Sequence, residues 1–249
     1  MPFEFFGFTI VEMVIIAATF FFAAFVKGVT GMGFTTTCLP FLVYTVGLKR
    51  GLPLVLIPSL ISNFFVMVDA GDFGVTLKRF WPMFLTTAPG VVFGLWILDS
   101  VPVETATMAL GVVLILYALI AYFSPSFRLP PHLERPVGPI SGFITGTVNG
   151  VTGTQIMTLM PFLMSLDMPR NQFIQGLNIS FSLSTIIMSI GLWHLGLLDL
   201  SAATVSMTTL LFVWAGTKLG GVVRKRMSNA AFRTIVLGLL FVLGFGMFV

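Results

Sequence analysis

Apolar stretches fill nearly the whole chain and are separated only by short charged or Gly/Pro breaks, which leaves few architectures open. Ten stretches are read, at 8–27, 34–47, 51–69, 79–98, 103–123, 138–149, 154–167, 171–191, 201–222 and 229–248. Several reach the roughly 20 residues that a helix needs to cross a bilayer. Hydrophobic residues make up 57% of the 249 and charged ones only 9%, too little charge to cover a water-soluble domain. The expected fold is an all-α polytopic membrane protein in a lipid bilayer, without room for a sizeable soluble domain. The net charge of +4 calls for no nucleic-acid partner, because excess Lys and Arg in a membrane protein normally sit in cytoplasmic loops. One cysteine, Cys38, and two isolated histidines, His132 and His194, suit neither a disulfide framework nor a metal centre, and no cofactor is expected. The start, Met1-Pro2-Phe3-Glu4-Phe5, has no basic region before its apolar run, so no cleavable signal peptide is read.

Three stretches, 34–47, 138–149 and 154–167, are too short to cross. At about 1.5 Å per residue, a run of about 14 residues rises about 21 Å, against a hydrocarbon core of about 30 Å. They flank two copies of one motif, Gly28-Val29-Thr30-Gly31 and Gly150-Val151-Thr152-Gly153. The economical reading is a helical hairpin that enters the membrane, turns inside it and returns. Further matches follow in order: Pro40-Phe41-Leu42 with Pro161-Phe162-Leu163, Arg50 with Arg170, and Gly90 and Gly94 with Gly216 and Gly220. The chain thus divides into an N-terminal repeat (1–123), a polar cytoplasmic linker (124–139) and a C-terminal repeat (140–249), with five segments in each repeat. Lys78, Arg79, Arg128, Arg135, Arg170, Arg224, Lys225, Arg226 and Arg233 fall on one side, and Lys49 and Arg50 on the other. The richer side is expected to be cytoplasmic. An odd number of segments inverts the second repeat relative to the first, an arrangement common in secondary transporters.

The breaks carry the expected chemistry. In lipid, irregular backbone survives only inside protein or beside water. Gly28, Gly31 and Gly33 let the chain turn and approach a ligand closely. A helix that restarts after each turn points free N–H groups and its positive dipole end into the break, which suits an anion. Thr30, Thr35 and Thr36 supply hydroxyls in the first break; Thr152, Thr154 and Thr158 do so in the second, with the amide of Gln155. Lys27 either adds a full charge to the site or snorkels to the interface, and Asn149 takes the matching place in the second repeat. Lys218 is read as snorkelling. Asn63, with Ser59 and Ser62, and Asn178, with Ser182, Thr185 and Ser189, form polar helix faces that suit either interhelical hydrogen bonds or a substrate path. No paired carboxylates lie within a segment, and Glu12 stands near the outer end of the first.

Two glycine-rich breaks, each followed by a proline, in a duplicated chain of this size resemble the sulfite exporter TauE/SafE family of anion permeases. The resemblance spans nearly the whole chain and is sharpest at Gly28 through Pro40 and at Gly142, Gly146, Gly150 and Gly153 through Pro161. It departs from the family pattern at Thr154 and Gln155. It implies transport of small sulfur-containing anions such as sulfite or organosulfonates. Together with the breaks, it places the substrate at Lys27, Gly28, Thr30, Gly31, Gly33 and Thr35, and at Asn149, Gly150, Thr152, Gly153, Thr154 and Gln155. Asn63 and Asn178 are secondary candidates. A secondary transporter in a bacterial inner membrane, with H+ or Na+ as coupling ion and a homodimer as its oligomer, is the leading expectation. A membrane-embedded enzyme and a channel-like anion conductor are the alternatives.

Overall fold

The computed structural model describes residues 4–5, 7–30, 32–123, 128–224, 238, 241, 244–245 and 247. A two-residue hairpin, β1 (Glu4–Phe5) against β2 (Phe8–Thr9), precedes the helices. It is a small exception to the all-α expectation. The first half then runs α1 (Ile10–Thr30), α2 (Phe34–Val46), α3 (Leu48–Ala70), α4 (Phe73–Ser100) and α5 (Val103–Phe123). The second runs α6 (Pro131–Thr152), α7 (Ile156–Ser165), α8 (Arg170–His194), α9 (Leu200–Thr208) and α10 (Leu210–Arg224). Six spans in the described residues are long and apolar enough to cross a membrane, with α9 and α10 counted as one. Large side chains such as Val14, Phe65, Leu85, Trp96 and Trp214 point outward, as they do where the surrounding solvent is lipid. The protein is therefore an all-α polytopic membrane protein.

Several boundaries differ from the sequence reading; α4, for one, starts at Phe73, ahead of the stretch expected at 79–98. The stretch expected at 138–149 is part of a 22-residue helix, because Pro131 starts α6 at its first position and the polar residues after it are helical. The linker shortens accordingly, and 131–139 belong to α6. Pro136 and Pro139 remove two helix donors without breaking α6. Next, α1 continues through Gly28 to Thr30, so the first break begins later than expected. The stretch 201–222 is divided at Thr209 into α9 and α10. The stretch at 229–248 lies mostly outside the described residues.

Polar contacts at the two ends fix how the broken pairs enter. The Arg50 guanidinium donates to the Gly7 carbonyl at 2.6 Å and stacks over the Phe8 ring, so α1 and α3 start at the same end. Helix α2 must therefore return to the end where α1 began. At the opposite end Arg79 forms a bidentate pair with Glu134, at 2.7 and 2.9 Å, and the Leu129 N–H donates to Ser165. Helix α6 begins there and α7 returns there.

Glycines bring helix pairs together. Helix α4 lies on α6 so closely that a Cβ on Gly94 would strike the Thr147 carbonyl and sit 2.8 Å from the Cα of Gly150. Helix α10 lies on α1 in the same manner: a Cβ on Gly220 would strike the Phe25 carbonyl and sit 2.9 Å from the Cα of Gly28. Small residues let backbones approach closely where lipid offers no hydrophobic drive between helices.

Candidate functional site

Helices α2 and α7, with 13 and 10 residues, are each too short to cross. Their N-termini face one another inside the bundle, and the Thr36 and Thr154 hydroxyls meet at 2.7 Å. End to end the pair spans about 34 Å, one bilayer core, at about 1.5 Å per residue. Neither helix has a side-chain N-cap: the capping positions are Gly33, in the left-handed region at φ 85°, and Gln155. The first-turn N–H groups of both helices, and both positive dipole ends, are thus directed at one region.

A cavity of about 40 Å³ occupies that region. It is lined from both halves by Lys27, Gly33, Thr35, Asn63, Asn149, Gly153, Thr154 and Gln155, among others. A water needs roughly 10–15 Å³ by the same measure, so the described state has room for little more than a few waters. Lys27 is 4% exposed, so it does not snorkel. Its Nζ donates to Ser62 Oγ and to Asn63 Oδ1, each at 2.8 Å. Among the described residues, the cavity lining contains no carboxylate. The Asn63 Nδ2 is buried without a partner among the described residues, an unmet donor beside the Lys27 Nζ. Gln155 is steadied by Ser180 and Ser184, whose hydroxyls donate to its Oε1 at 3.2 Å, and Thr35 donates to Ser59 Oγ at 3.3 Å. The arrangement collects donors and two positive dipole ends, with no negative group among the described lining residues to balance them.

Several candidates stand elsewhere. Gly28 and Gly150 do not turn the chain; they are helical, and their faces are taken up by α10 and α4. The left-handed glycines of the two breaks are Gly33 and Gly153 instead. A Cβ on Gly153 would meet only the side-chain ends of Leu52 and Leu39, which can shift, so it is the left-handed backbone at φ 75° that reserves this position for glycine. The Thr152 hydroxyl donates to Val148 O at 2.7 Å and accepts from the Thr154 N–H, so it closes the end of α6 and does not line the cavity. Asn178 is buried with its amide on Ile174 O, away from the lining. Gly31 and the Thr30 side chain lie outside the described residues. The sequence reading missed the apolar wall of Phe34, Val55, Leu56, Ile156, Phe181 and Met188. In a chain this apolar, such residues carry no signal that separates them from lipid-facing ones.

Replacing Thr152 with valine should thus lower thermal stability by about 1 kcal/mol, the worth of one hydrogen bond, and leave ligand binding at the cavity unchanged. Paired melting curves and titrations check this; a loss of affinity at unchanged stability would return Thr152 to the site.

Two broken elements meeting head to head at a buried, lysine-bearing cavity are the construction of a membrane transporter. The model of the sulfite exporter TauE/SafE family matches residues 16–247, nearly the whole chain, and the protein belongs to that family. No match was found among curated proteins or among solved structures. It is an integral membrane transporter for a small anion, and not an enzyme.

Proposed function

We propose that the protein is a secondary transporter that carries sulfite or a small organosulfonate through alternating exposure of the cavity between its two breaks. The observation that carries this reading is the meeting of Lys27 with two uncapped helix N-termini, with no carboxylate among the described lining residues. Such a site is incomplete until an anion fills it. Lys27, Asn63, Thr35 and Thr154, with the backbone N–H groups after Gly33 and Gln155, hold the anionic oxygens; the apolar wall receives the remainder. Glycine contacts at Gly94–Gly150 and at Gly220–Gly28 join equivalent helices of the two halves, which supports an inverted two-fold arrangement. In that arrangement the same movement, repeated in mirror order, opens the site to either side. The small cavity marks a closed state, and loading requires the Thr36–Thr154 contact to part.

Counterflow in proteoliposomes separates this reading from a channel. Sulfite trapped inside should drive transient uptake of labelled sulfite above its equilibrium level; uptake that never overshoots would mean a conductor. The Arg79 end faces the cytoplasm of a bacterial inner membrane in this reading. Because Cys38 is buried, His132→Cys and Ser100→Cys can each be labelled alone. The two should react with an impermeant maleimide from opposite faces, and reaction of both from one face would overturn the topology.

A further inference from the structure

We infer that Lys27 takes up one proton with each anion, so that anion and proton cross the membrane together in the same direction. This rests on the pocket described under Proposed function and adds the coupling to it. The geometry of the amine carries the inference. Two acceptors surround Nζ, Ser62 Oγ and Asn63 Oδ1, both at 2.8 Å. A neutral amine has two N–H groups, and both are satisfied. An ammonium has three, and the described cavity lining offers the third no carboxylate. An unpaired charge within a bilayer is costly, and two helix N-termini facing it add to that cost. An anion in the cavity supplies the missing acceptor and the missing charge at once. Binding is then the balanced step in which amine, proton and anion become an ammonium–anion pair, and release on the other side reverses it. By linkage, the proton strengthens anion binding by the same factor as the anion strengthens proton binding.

Among the described side chains, other charged groups stand away from this amine. On α1, Glu12 lies at the outer end, bonded to Thr9. On α2, the buried Cys38 thiol points to Thr35 O at 3.6 Å, and Tyr44 is exposed. On α3, Lys49 and Arg50 are at the outer end, and Asp69 lies two turns beyond Ser62, about 10 Å along the axis. On α10, Lys218 is exposed. Helices α6, α7 and α8 contribute no titratable group to the lining.

The test is NMR of full-length protein in nanodiscs, with 13Cε-labelled lysine and Lys49, Lys78, Lys218 and Lys225 replaced by arginine, so that Lys27 gives the lysine signal. At about pH 9, sulfite should move that signal from the amine to the ammonium position. In parallel, calorimetry should show the wild-type affinity falling about tenfold more per pH unit than that of Lys27→Arg, whose charge is permanent, as one linked proton requires. An ammonium before and after sulfite, or an amine in both states with sulfite bound, overturns the coupling and leaves the pocket standing. An unmoved signal, together with wild-type sulfite transport by Lys27→Met, overturns the pocket as well.

Discussion

Lys27→Ala should weaken sulfite binding by roughly ten- to a hundredfold, while Lys218→Ala should leave it unchanged. A hydrogen bond to a charged group contributes on the order of 1.5–3 kcal/mol, and about 1.4 kcal/mol is tenfold in affinity. Lys27 is buried on the cavity, where no mobile ions screen it, whereas Lys218 is exposed on the outer face of α10. The substitution also leaves Ser62 and Asn63 without their donor, so stability must be measured beside affinity. Isothermal titration on variants that elute as folded protein decides the matter. Equal affinities for wild type and Lys27→Ala would mean that the helix N-termini hold the anion alone. In that case Gly33→Val, which strains the left-handed turn at the head of α2, should remove binding while Lys27→Ala does not.

Gly94→Leu and Gly220→Leu should each prevent assembly of the folded bundle. A Cβ at Gly94 already meets the Thr147 carbonyl, and one at Gly220 meets the Phe25 carbonyl. Backbone cannot yield as a flexible side chain can, so the helices must separate, and overpacking of even modest size costs about 1–3 kcal/mol. Four added carbons in a backbone-to-backbone contact exceed that range. Gly221→Leu is the control, since none of the described residues lies within 4 Å of a Cβ there. Yield and monodispersity by size-exclusion chromatography in mild detergent report the effect. If Gly94→Leu assembles like wild type, α4 and α6 are not in the contact described.

The glycine contacts show where sequence reasoning stopped. Gly28 and Gly150 were legible as special positions, but a glycine that turns the chain and a glycine that lets a neighbouring helix approach are identical in sequence. Only the packed structure shows α10 and α4 against their faces. Thr152 and Thr154 present the same ambiguity two residues apart. A hydroxyl at a helix end can close its own last turn or face a cavity, and helix geometry after Thr152 assigns the first role to one and the second to the other.

What the sequence determined by itself was the solvent and the broken elements. Burial in lipid follows from composition, because so few charges cannot coat a soluble surface. Helices follow from the bilayer, which leaves no other open-ended way to satisfy the backbone. The glycine repeats marked both breaks, since only short helices can flank them, and Lys27 stood out as a charge in a chain with few. What only the tertiary structure decided was which groups converge. Lys27 reaches Ser62 and Asn63, 35 and 36 positions away, and Thr36 reaches Thr154, 118 positions away. Such distances in sequence have no local periodicity to reveal them. They arise because α2 and α7 enter from opposite ends and are each too short to pass one another, so their N-termini meet at the cavity that Lys27 lines.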